Sequence, residues 1–339
     1  MSAPGPSAAP RLLADVGGTN ARFAWQAGPG APMEAVLALP CAEHGSLAEA
    51  VHRYLRQTGR AMPPDCAIAI ANPVLGDRVA MTNHHWTFSI RELKAQLGLQ
   101  RLRVVNDFTA LALALPRLGP ADRWQLGGGE PQPGAAIGLI GPGTGLGVSG
   151  LLPIGREGRD GRGGWLPIQG EGGHATLGAT NAREAAVLAL LRQWHGHVSA
   201  ERAVCGQGLV DIHSALQQLD DAPGPQLTAA AVTEAALAGR DARCTEALQL
   251  FCAFLGIAAG NLALTLGARG GVYIGGGIVP RLGRWFAGSP FRARFEAKGR
   301  FAAYLQPVPV YVIDTPQSPA FIGAAEALDA ALPLAGQAD

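Results

Sequence analysis

Short apolar runs separated by polar turns dominate the first third of the chain. Residues 12–16 and 21–26 are apolar runs of strand length, and the polar turn Asp15-Val-Gly-Gly-Thr-Asn20 joins them. The rest of this region predicts a third strand at 35–39, a helix at 46–58, a strand at 66–71, a short helix at 89–97, a strand at 102–105 and a helix at 108–115. Such a mixed succession predicts an α/β domain.

The strand–turn–strand pattern of the N-terminus returns in the middle of the chain. In AAIGLIGPGTGLGVSGLLP, which begins at Ala135, two apolar runs again flank a glycine-rich turn. The repetition predicts an internal duplication of this unit. The remainder predicts helices at 181–194, 228–238, 241–266, from 278 onward and at 321–332, and strands at 271–274 and 308–313.

One apolar stretch is nearly long enough to cross a membrane. Residues 250–268 carry only Thr and Asn as polar side chains, and about 20 apolar residues span a bilayer. The stretch is solitary and is interrupted by Gly256, Gly260 and Asn261. We therefore interpret it as a buried core helix whose glycines allow close packing, and we predict no membrane association.

Composition indicates a globular protein of the reducing cytoplasm. The 339 residues are 48% hydrophobic and 16% charged, which fits about two domains. A net charge of +1 leaves no field large enough to hold nucleic acid. The five cysteines show no CxxC spacing, so we interpret them as reduced thiols. Residues 1–10 lack the apolar core of a signal peptide and are predicted to form a flexible tail.

Three glycine-rich turns follow predicted strands, at 17–18, 141–147 and 275–277. The exposed backbone N–H groups of such turns can surround a phosphate, although an ordinary hairpin is the alternative for each turn. The first turn also carries Asp15 on an otherwise apolar strand, where acids are disfavoured. Bound Mg²⁺ is the best reason for an acid at that position.

Two familiar phosphate-binding motifs are excluded. A Walker A loop needs a lysine after its last glycine, and neither Lys94 nor Lys298 follows a glycine. A dinucleotide fingerprint matches formally at Gly145, Gly147 and Gly150, but a strand-like run follows where a helix is required. The remaining interpretation is a pair of hairpins that clamp a polyphosphate from two sides.

Two further polar segments carry candidate chemistry. Asn106-Asp107 lies between a predicted strand and a predicted helix, where an acid can face a cleft or simply cap the helix. QGEGGHATLG places Glu171 and His174 among glycines, which would let a ligand approach while a carboxylate and an imidazole bind adjacent hydroxyls. A metal site and a polar surface loop are the alternatives for this second segment.

Taken together, these motifs resemble one protein family. DVGGTNARFA, GPGTGLG and GGVYIGGGIVP resemble the phosphate-1, phosphate-2 and adenosine elements of the sugar kinase, Hsp70 and actin superfamily. The neighbouring motifs are similar to bacterial ATP-dependent glucokinases, from about residue 12 to residue 325. The resemblance implies an α/β, two-lobed actin/hexokinase-like (ribonuclease H-like) fold with a central cleft, and a homodimer.

The resemblance also implies residue roles in transferring phosphate from ATP to the 6-hydroxyl of glucose. Asp107 would be the general base, and Asp15 would hold Mg²⁺ through water. The implied sugar ligands are Asn83, Asn106, Asp107, Glu171, His174 and Glu201. The implied nucleotide-binding residues are Asp15, Gly17, Gly18, Thr19, Asn20, Gly143, Thr144, Gly145, Gly275, Gly276 and Gly277.

The predicted small domain holds residues 11–116 plus 318–339, and the large domain holds 117–317. Residues 156–164 form a charged, glycine-rich insertion not associated with the family, which we interpret as a mobile surface loop. A kinase for another hexose and a non-catalytic sugar-sensing regulator are the alternative functions. An actin-like ATPase is a third alternative, in which the GEGGH cluster would have no purpose.

Overall fold

The computed structural model describes residues 9–82, 84–155, 164–315 and 318–330. The chain forms two compact units. The first comprises Met1–Leu118, Ile154–Pro167 and Thr315–Asp339, and the second comprises Gly119–Pro153 and Ile168–Asp314. The domain division given by the sequence stays a prediction. Most of the predicted tail, the 156–163 part of the predicted loop and Asn83 lie outside the described residues.

The strands, in chain order, are β1 (Arg11–Val16), β2 (Asn20–Gln26), β3 (Met33–Pro40), β4 (Asp65–Ile70), β5 (Arg78–Ala80), β6 (Thr87–Ser89), β7 (Arg101–Asn106), β8 (Arg123–Gln125), β9 (Ile137–Pro142), β10 (Leu146–Ile154), β11 (Gly164–Gln169), β12 (Val272–Ile274) and β13 (Val310–Ile313). The α-helices are α1 (Leu47–Thr58), α2 (Ile90–Gln96), α3 (Asp107–Ala114), α4 (Ala182–His195), α5 (Ala200–Ala203), α6 (Gly206–Leu219), α7 (Ala229–Leu237), α8 (Ala242–Leu266), α9 (Val279–Leu282), α10 (Arg284–Ala287), α11 (Phe291–Glu296), α12 (Ala302–Leu305) and α13 (Pro319–Asp329).

The sheet of the first unit has the strand order β3-β2-β1-β4-β7. β1 pairs antiparallel with β2 and parallel with β4, which in turn pairs parallel with β7. The register sets Asp15 opposite Ala69, and Ile70 opposite Asn106. The carboxyl ends of three parallel strands therefore meet at one edge, where ligands of open α/β sheets bind.

The second sheet repeats this arrangement. Its order is β11-β10-β9-β12-β13-β8, with β9 antiparallel to β10 and parallel to β12. The hairpins β1–β2 and β9–β10 thus each have a parallel third strand beside the first strand of the hairpin. The strand–turn–strand unit therefore occurs twice in the fold, as the repeated pattern in the sequence predicted.

Helix α8 is the apolar segment whose length raised the question of a membrane span. Within the described residues it is the one helix long and apolar enough to cross a bilayer, and 72% of its most apolar window is buried inside the protein. A methyl group at Gly256 or Gly260 would overlap the backbone carbonyls of Phe291 and Phe295 on α11. The core-helix interpretation is confirmed, because these glycines allow α11 to pack directly on α8.

Sequence patterns missed or misjudged several elements. The helix predicted from 278 onward ends at Leu282, because Gly283 adopts a left-handed φ of 52° and starts a new turn. The last helix ends at Asp329, three positions earlier than the expected 332. α6 was missed because it begins Gly206-Gln-Gly208, and glycine disfavours helix. A side chain at Gly208 would overlap the backbone of Ala203, so the tight passage from α5 into α6 requires glycine at this position.

Candidate active site

The turn between β1 and β2 is held by backbone hydrogen bonds. Gly17 N donates to Asn20 O at 3.0 Å, and Cys41 N donates to Thr19 O at 2.8 Å. Thr19 and Asn20 are exposed. The nearest atom to a Cβ added at Gly17 would be Asn20 O at 3.7 Å, an ordinary contact distance. The fold therefore accepts a larger residue at 17, and the glycine leaves open space beside the turn.

Asp15 lies half-buried at the end of β1. Its Oδ2 accepts a hydrogen bond from Ser318 Oγ at 2.9 Å and lies 3.7 Å from a guanidinium nitrogen of Arg22. Burial raises the pKa of Asp15 above its ordinary value, while the Ser318 hydrogen bond and the Arg22 charge oppose that rise. Ser318 immediately precedes α13, and no local pattern could pair it with a residue 303 positions away.

Asn106 caps helix α3. Its Oδ1 accepts hydrogen bonds from the backbone N–H groups of Phe108 (2.9 Å) and Thr109 (3.2 Å). Its Nδ2 donates to Asp107 Oδ1 at 3.0 Å and to the backbone carbonyl of Asn72 at 3.3 Å. The helix-cap alternative is thus realised for Asn106, and the same side chain orients the neighbouring carboxylate.

Asp107 is the first residue of α3, and its carboxylate is half-buried. Oδ1 accepts from Phe108 N at 2.9 Å in addition to the bond from Asn106. Burial, together with the nearby negative charge of Asp15, raises the pKa of Asp107 from 3.8 to about 6. Such a carboxylate is ionised at neutral pH and is nevertheless a stronger base than an exposed aspartate.

The neighbouring carboxylates of Asp15 and Asp107 fit a divalent cation. The negative charge of Asp15 raises the electrostatic cost of ionising Asp107, and a cation at this sheet edge would offset that cost. Among the described residues no group of three or more His, Cys, Asp or Glu side chains gathers as a metal cluster. Mg²⁺ suits this situation, because it is commonly bound by one or two carboxylates, with water and substrate phosphates completing its ligands.

Because its pKa is raised, the ionised carboxylate of Asp107 lowers the stability of the folded chain. The pKa of Asp107 is higher in the folded chain than in the unfolded chain. The free energy of unfolding is therefore highest below pH 3.8, where the carboxyl is protonated in both states, and this advantage is lost as pH rises through about 6. Asp107→Asn can retain the helix-end hydrogen bond without a charge. It should therefore match wild type near pH 4 and exceed it by about 3 kcal/mol at pH 8. Denaturant unfolding at both pH values measures this difference, and equal stability at pH 8 would contradict it.

In the second unit, the 143–145 turn and the 275–277 turn lie together. Gly275 N donates to Ile140 O at 2.8 Å, which anchors the second turn to β9. Gly276 has a left-handed φ of 78°, and a side chain there would overlap the carbonyl of Pro142. Gly206 N, at the start of α6, donates to Gly143 O at 3.0 Å. The two predicted nucleotide-binding turns of this unit are therefore neighbours in space.

Glu201 lies directly against the 143–145 turn. Its Oε2 accepts a hydrogen bond from Leu146 N at 2.8 Å, and a methyl group at Gly145 would overlap its carboxylate. Its Oε1 lies 3.8 Å from His174 Nε2. The structure thus brings together three residues that the sequence singled out separately, Glu201, His174 and Gly145.

Two glycines of the GEGGH segment, Gly172 and Gly173, pack closely on β10. Side chains at Gly172 and Gly173 would overlap Val148 and the carbonyl of Leu146 on β10. The expectation that the glycines here admit a ligand is wrong for Gly172 and Gly173, because β10 occupies that space, whereas a Cβ at Gly170 would have no atom within 4 Å. Glu171 and His174, which flank this pair of glycines, are exposed.

Asn72 was missed by sequence reasoning. It is buried at the end of β4, where its Oδ1 accepts from both the backbone N–H and the hydroxyl of Thr82 at 2.8 Å. Its Nδ2 donates to Ala80 O at 2.6 Å. The available signal was an amide side chain directly after a buried strand and before Pro73. Because the Asn72 carbonyl also accepts from Asn106 Nδ2, Asn72 connects Asn106 to residues 80–82.

Comparison with known proteins identifies the family of this chain. The Glucokinase family model matches residues 12–331. The chain is 54% identical over 324 residues to a glucokinase of Aromatoleum aromaticum, covering 95% of this chain and 96% of that one. A glucokinase of Chromobacterium violaceum is 53% identical, with 96% of this chain and 91% of that relative covered.

A solved structure agrees with these relatives. The crystal structure of a glucokinase from an Antarctic psychrotroph has a TM-score of 0.85 and 35% identity, and the match covers 94% of this chain and 98% of that one. The expected α/β, actin/hexokinase-like fold is confirmed. Because the family model matches residues 12–331, the chain belongs to the Glucokinase family.

Proposed function

We propose that this chain transfers the terminal phosphoryl group of ATP to the 6-hydroxyl of glucose, with Asp107 as the general base. Family membership supports ATP-dependent phosphorylation of glucose. The observation that carries the role of Asp107 is its half-buried carboxylate, with a pKa of about 6, at the sheet edge that also bears Asp15. Glucose 6-phosphate and ADP are the products.

A carboxylate can serve this reaction without deprotonating the alcohol beforehand. A free hydroxyl is far too weak an acid for a base of pKa about 6. In a loose phosphoryl transfer, the base orients the hydroxyl and accepts its proton late, as the bond to phosphorus forms. The hydrogen bond from Asn106 Nδ2 holds Asp107 in a fixed orientation for this task.

We place Mg²⁺ and the nucleotide at the three glycine turns. Asp15 would hold Mg²⁺ through water, and Mg²⁺ would neutralise charge on the phosphates. The backbone groups of Gly17–Asn20 and of Gly143–Gly145 would bind the phosphates, and Gly275–Gly277 would approach the adenosine. The open space at Gly17 and the packing of Gly276 on Pro142 support these assignments.

The proposed sugar ligands are Asn83, Asn106, Asp107, Glu171, His174 and Glu201. The neighbouring carboxylate and imidazole of Glu201 and His174 support this set, because such a pair can bind adjacent hydroxyls. A homodimeric assembly and a cytoplasmic location, both implied at the level of sequence, stay predictions.

Measuring ADP release with a panel of sugars tests the substrate. We expect turnover to require a hexose and to be fastest with glucose, because ligands on several ring hydroxyls reject analogues that leave polar groups unpaired. Faster turnover with mannose or N-acetylglucosamine would support the alternative of a kinase for another hexose. Binding of glucose without ADP release would support the non-catalytic regulator instead.

A further inference from the structure

Glu201 has two carboxylate oxygens with different surroundings. Oε2 accepts the backbone N–H of Leu146, which immediately follows the 143–145 turn. Oε1 is the oxygen nearest His174, and the side chains of His174 and Glu201 are 61% and 32% exposed. The Glu201 carboxylate therefore has one oxygen at the end of the proposed phosphate-binding turn and the other beside His174, a proposed sugar ligand.

The backbone around Glu201 fixes these distances. Ala200 N donates to Ala175 O at 2.8 Å, and Leu177 N donates to Val198 O at 3.0 Å. The segment that follows His174 is thus paired with the segment that precedes Glu201. Because these hydrogen bonds hold the backbone on both sides, the conformational freedom that remains at this site is mainly that of the Glu201 side chain.

From these contacts we propose that Glu201 couples sugar binding to nucleotide binding. This inference rests on the proposed function and adds to Glu201 a positioning role through the 143–145 turn. A sugar hydroxyl bound to Oε1 immobilises the carboxylate, and Oε2 then holds Leu146 N and the preceding turn in place. A nucleotide that binds the ordered turn loses less conformational entropy, so each substrate raises the affinity for the other.

Gly145 offers a way to break this link without removing the carboxylate. Its backbone φ is ordinary, and the group that an alanine methyl would meet is the Glu201 carboxylate, the end of a flexible side chain. Gly145→Ala therefore displaces that carboxylate while the fold is retained. Gly178→Ala is the matched control, because a Cβ at that glycine has no atom within 4 Å.

The test measures a coupling factor by isothermal titration calorimetry. The probes are 6-deoxyglucose, which lacks the 6-hydroxyl that would accept the phosphoryl group, and Mg²⁺ with AMP-PNP, a non-hydrolysable analogue of ATP. In wild type and in Gly178→Ala, we expect 6-deoxyglucose to tighten AMP-PNP binding by about tenfold, with the same factor in the reverse order of addition. In Gly145→Ala and Glu201→Ala, we expect the factor to fall to about one.

Two further variants separate coupling from loss of sugar affinity. His174→Ala should weaken 6-deoxyglucose binding and keep the coupling factor, because the contact of Glu201 with Leu146 remains. Adding Gly145→Ala to Glu201→Ala should change the factor no further, because the methyl acts only through that carboxylate.

The outcomes distinguish this inference from the proposed function. If wild type binds neither probe, the proposed function fails. If both probes bind independently of each other, or if Gly145→Ala keeps the full wild-type factor, the coupling role of Glu201 is overturned and the proposed function stands.

Discussion

Replacing Asp107 by alanine is expected to reduce kcat/KM for glucose by about 10²- to 10⁴-fold, the usual contribution of a positioned general base. Asp107→Asn should lose a similar factor, since an amide can retain the hydrogen bond from Phe108 N but cannot accept the proton. Coupled measurement of ADP release over a range of glucose concentrations gives the value. Near-normal turnover by either variant would remove Asp107 as the base.

Two measurements test whether the loss of activity in the Asp107 variants reflects unfolding or the removal of any carboxylate. Asp107→Asn should be at least as stable as wild type at neutral pH, in line with the burial that raises the pKa of Asp107. Glu234→Gln removes an exposed carboxylate whose ion pair with Arg240 is also exposed, and it should keep wild-type activity.

The pH profile of wild type gives a further check on the base. Protonated Asp107 cannot accept a proton, so kcat/KM should fall tenfold per pH unit as pH drops below about 6. A profile that stays flat down to pH 4 would contradict the assignment.

Asp15→Asn is expected to reduce kcat/KM for Mg-ATP by about 10²- to 10³-fold, the cost of removing one preorganised electrostatic group at a reacting centre. The half-saturating Mg²⁺ concentration should rise, because a neutral amide attracts the cation less strongly. Kinetics at varied Mg²⁺ and fixed ATP measure both effects. An unchanged Mg²⁺ requirement would contradict a metal-holding role for Asp15.

The same variant should alter the titration of the base in a defined direction. Asp15 raises the pKa of Asp107 through its negative charge, so Asp15→Asn should move the acid limb of the residual activity to lower pH. Ser318→Ala is the matched control. It removes only a hydroxyl that donates to Asp15, so the negative charge stays and the loss of activity should be smaller.

Local patterns located most of the elements that carry the site. Val16 ends the first strand, Ser46 caps α1 and Gly59 ends it, because strand runs and helix caps depend on residues close in sequence. The sequence also singled out Asp107 and Glu201, the latter through the family resemblance. Local signals failed for α6, whose first turn contains two glycines, one of which, Gly208, packs against the backbone of Ala203 at the end of α5.

Partners of the site residues could not be predicted in the same way. Asn72 and Ser318 carry no motif, yet one supports Asn106 and the other bonds Asp15. The glycines at 172 and 173 resembled ligand-binding positions, and β10 occupies the space beside them. In each case the deciding neighbour comes from a distant part of the chain.

The sequence by itself determined the mixed α/β class, the two hairpins with glycine turns and the residue types available for phosphoryl transfer, because turn chemistry and hydrophobic period act over a few residues. Tertiary structure decided the electrostatics and the pairings. It placed Asp15 close enough to raise the pKa of Asp107, and it placed Glu201 against Leu146, 55 positions away. Burial and through-space charge depend on the path of the whole chain, so no local pattern contains them.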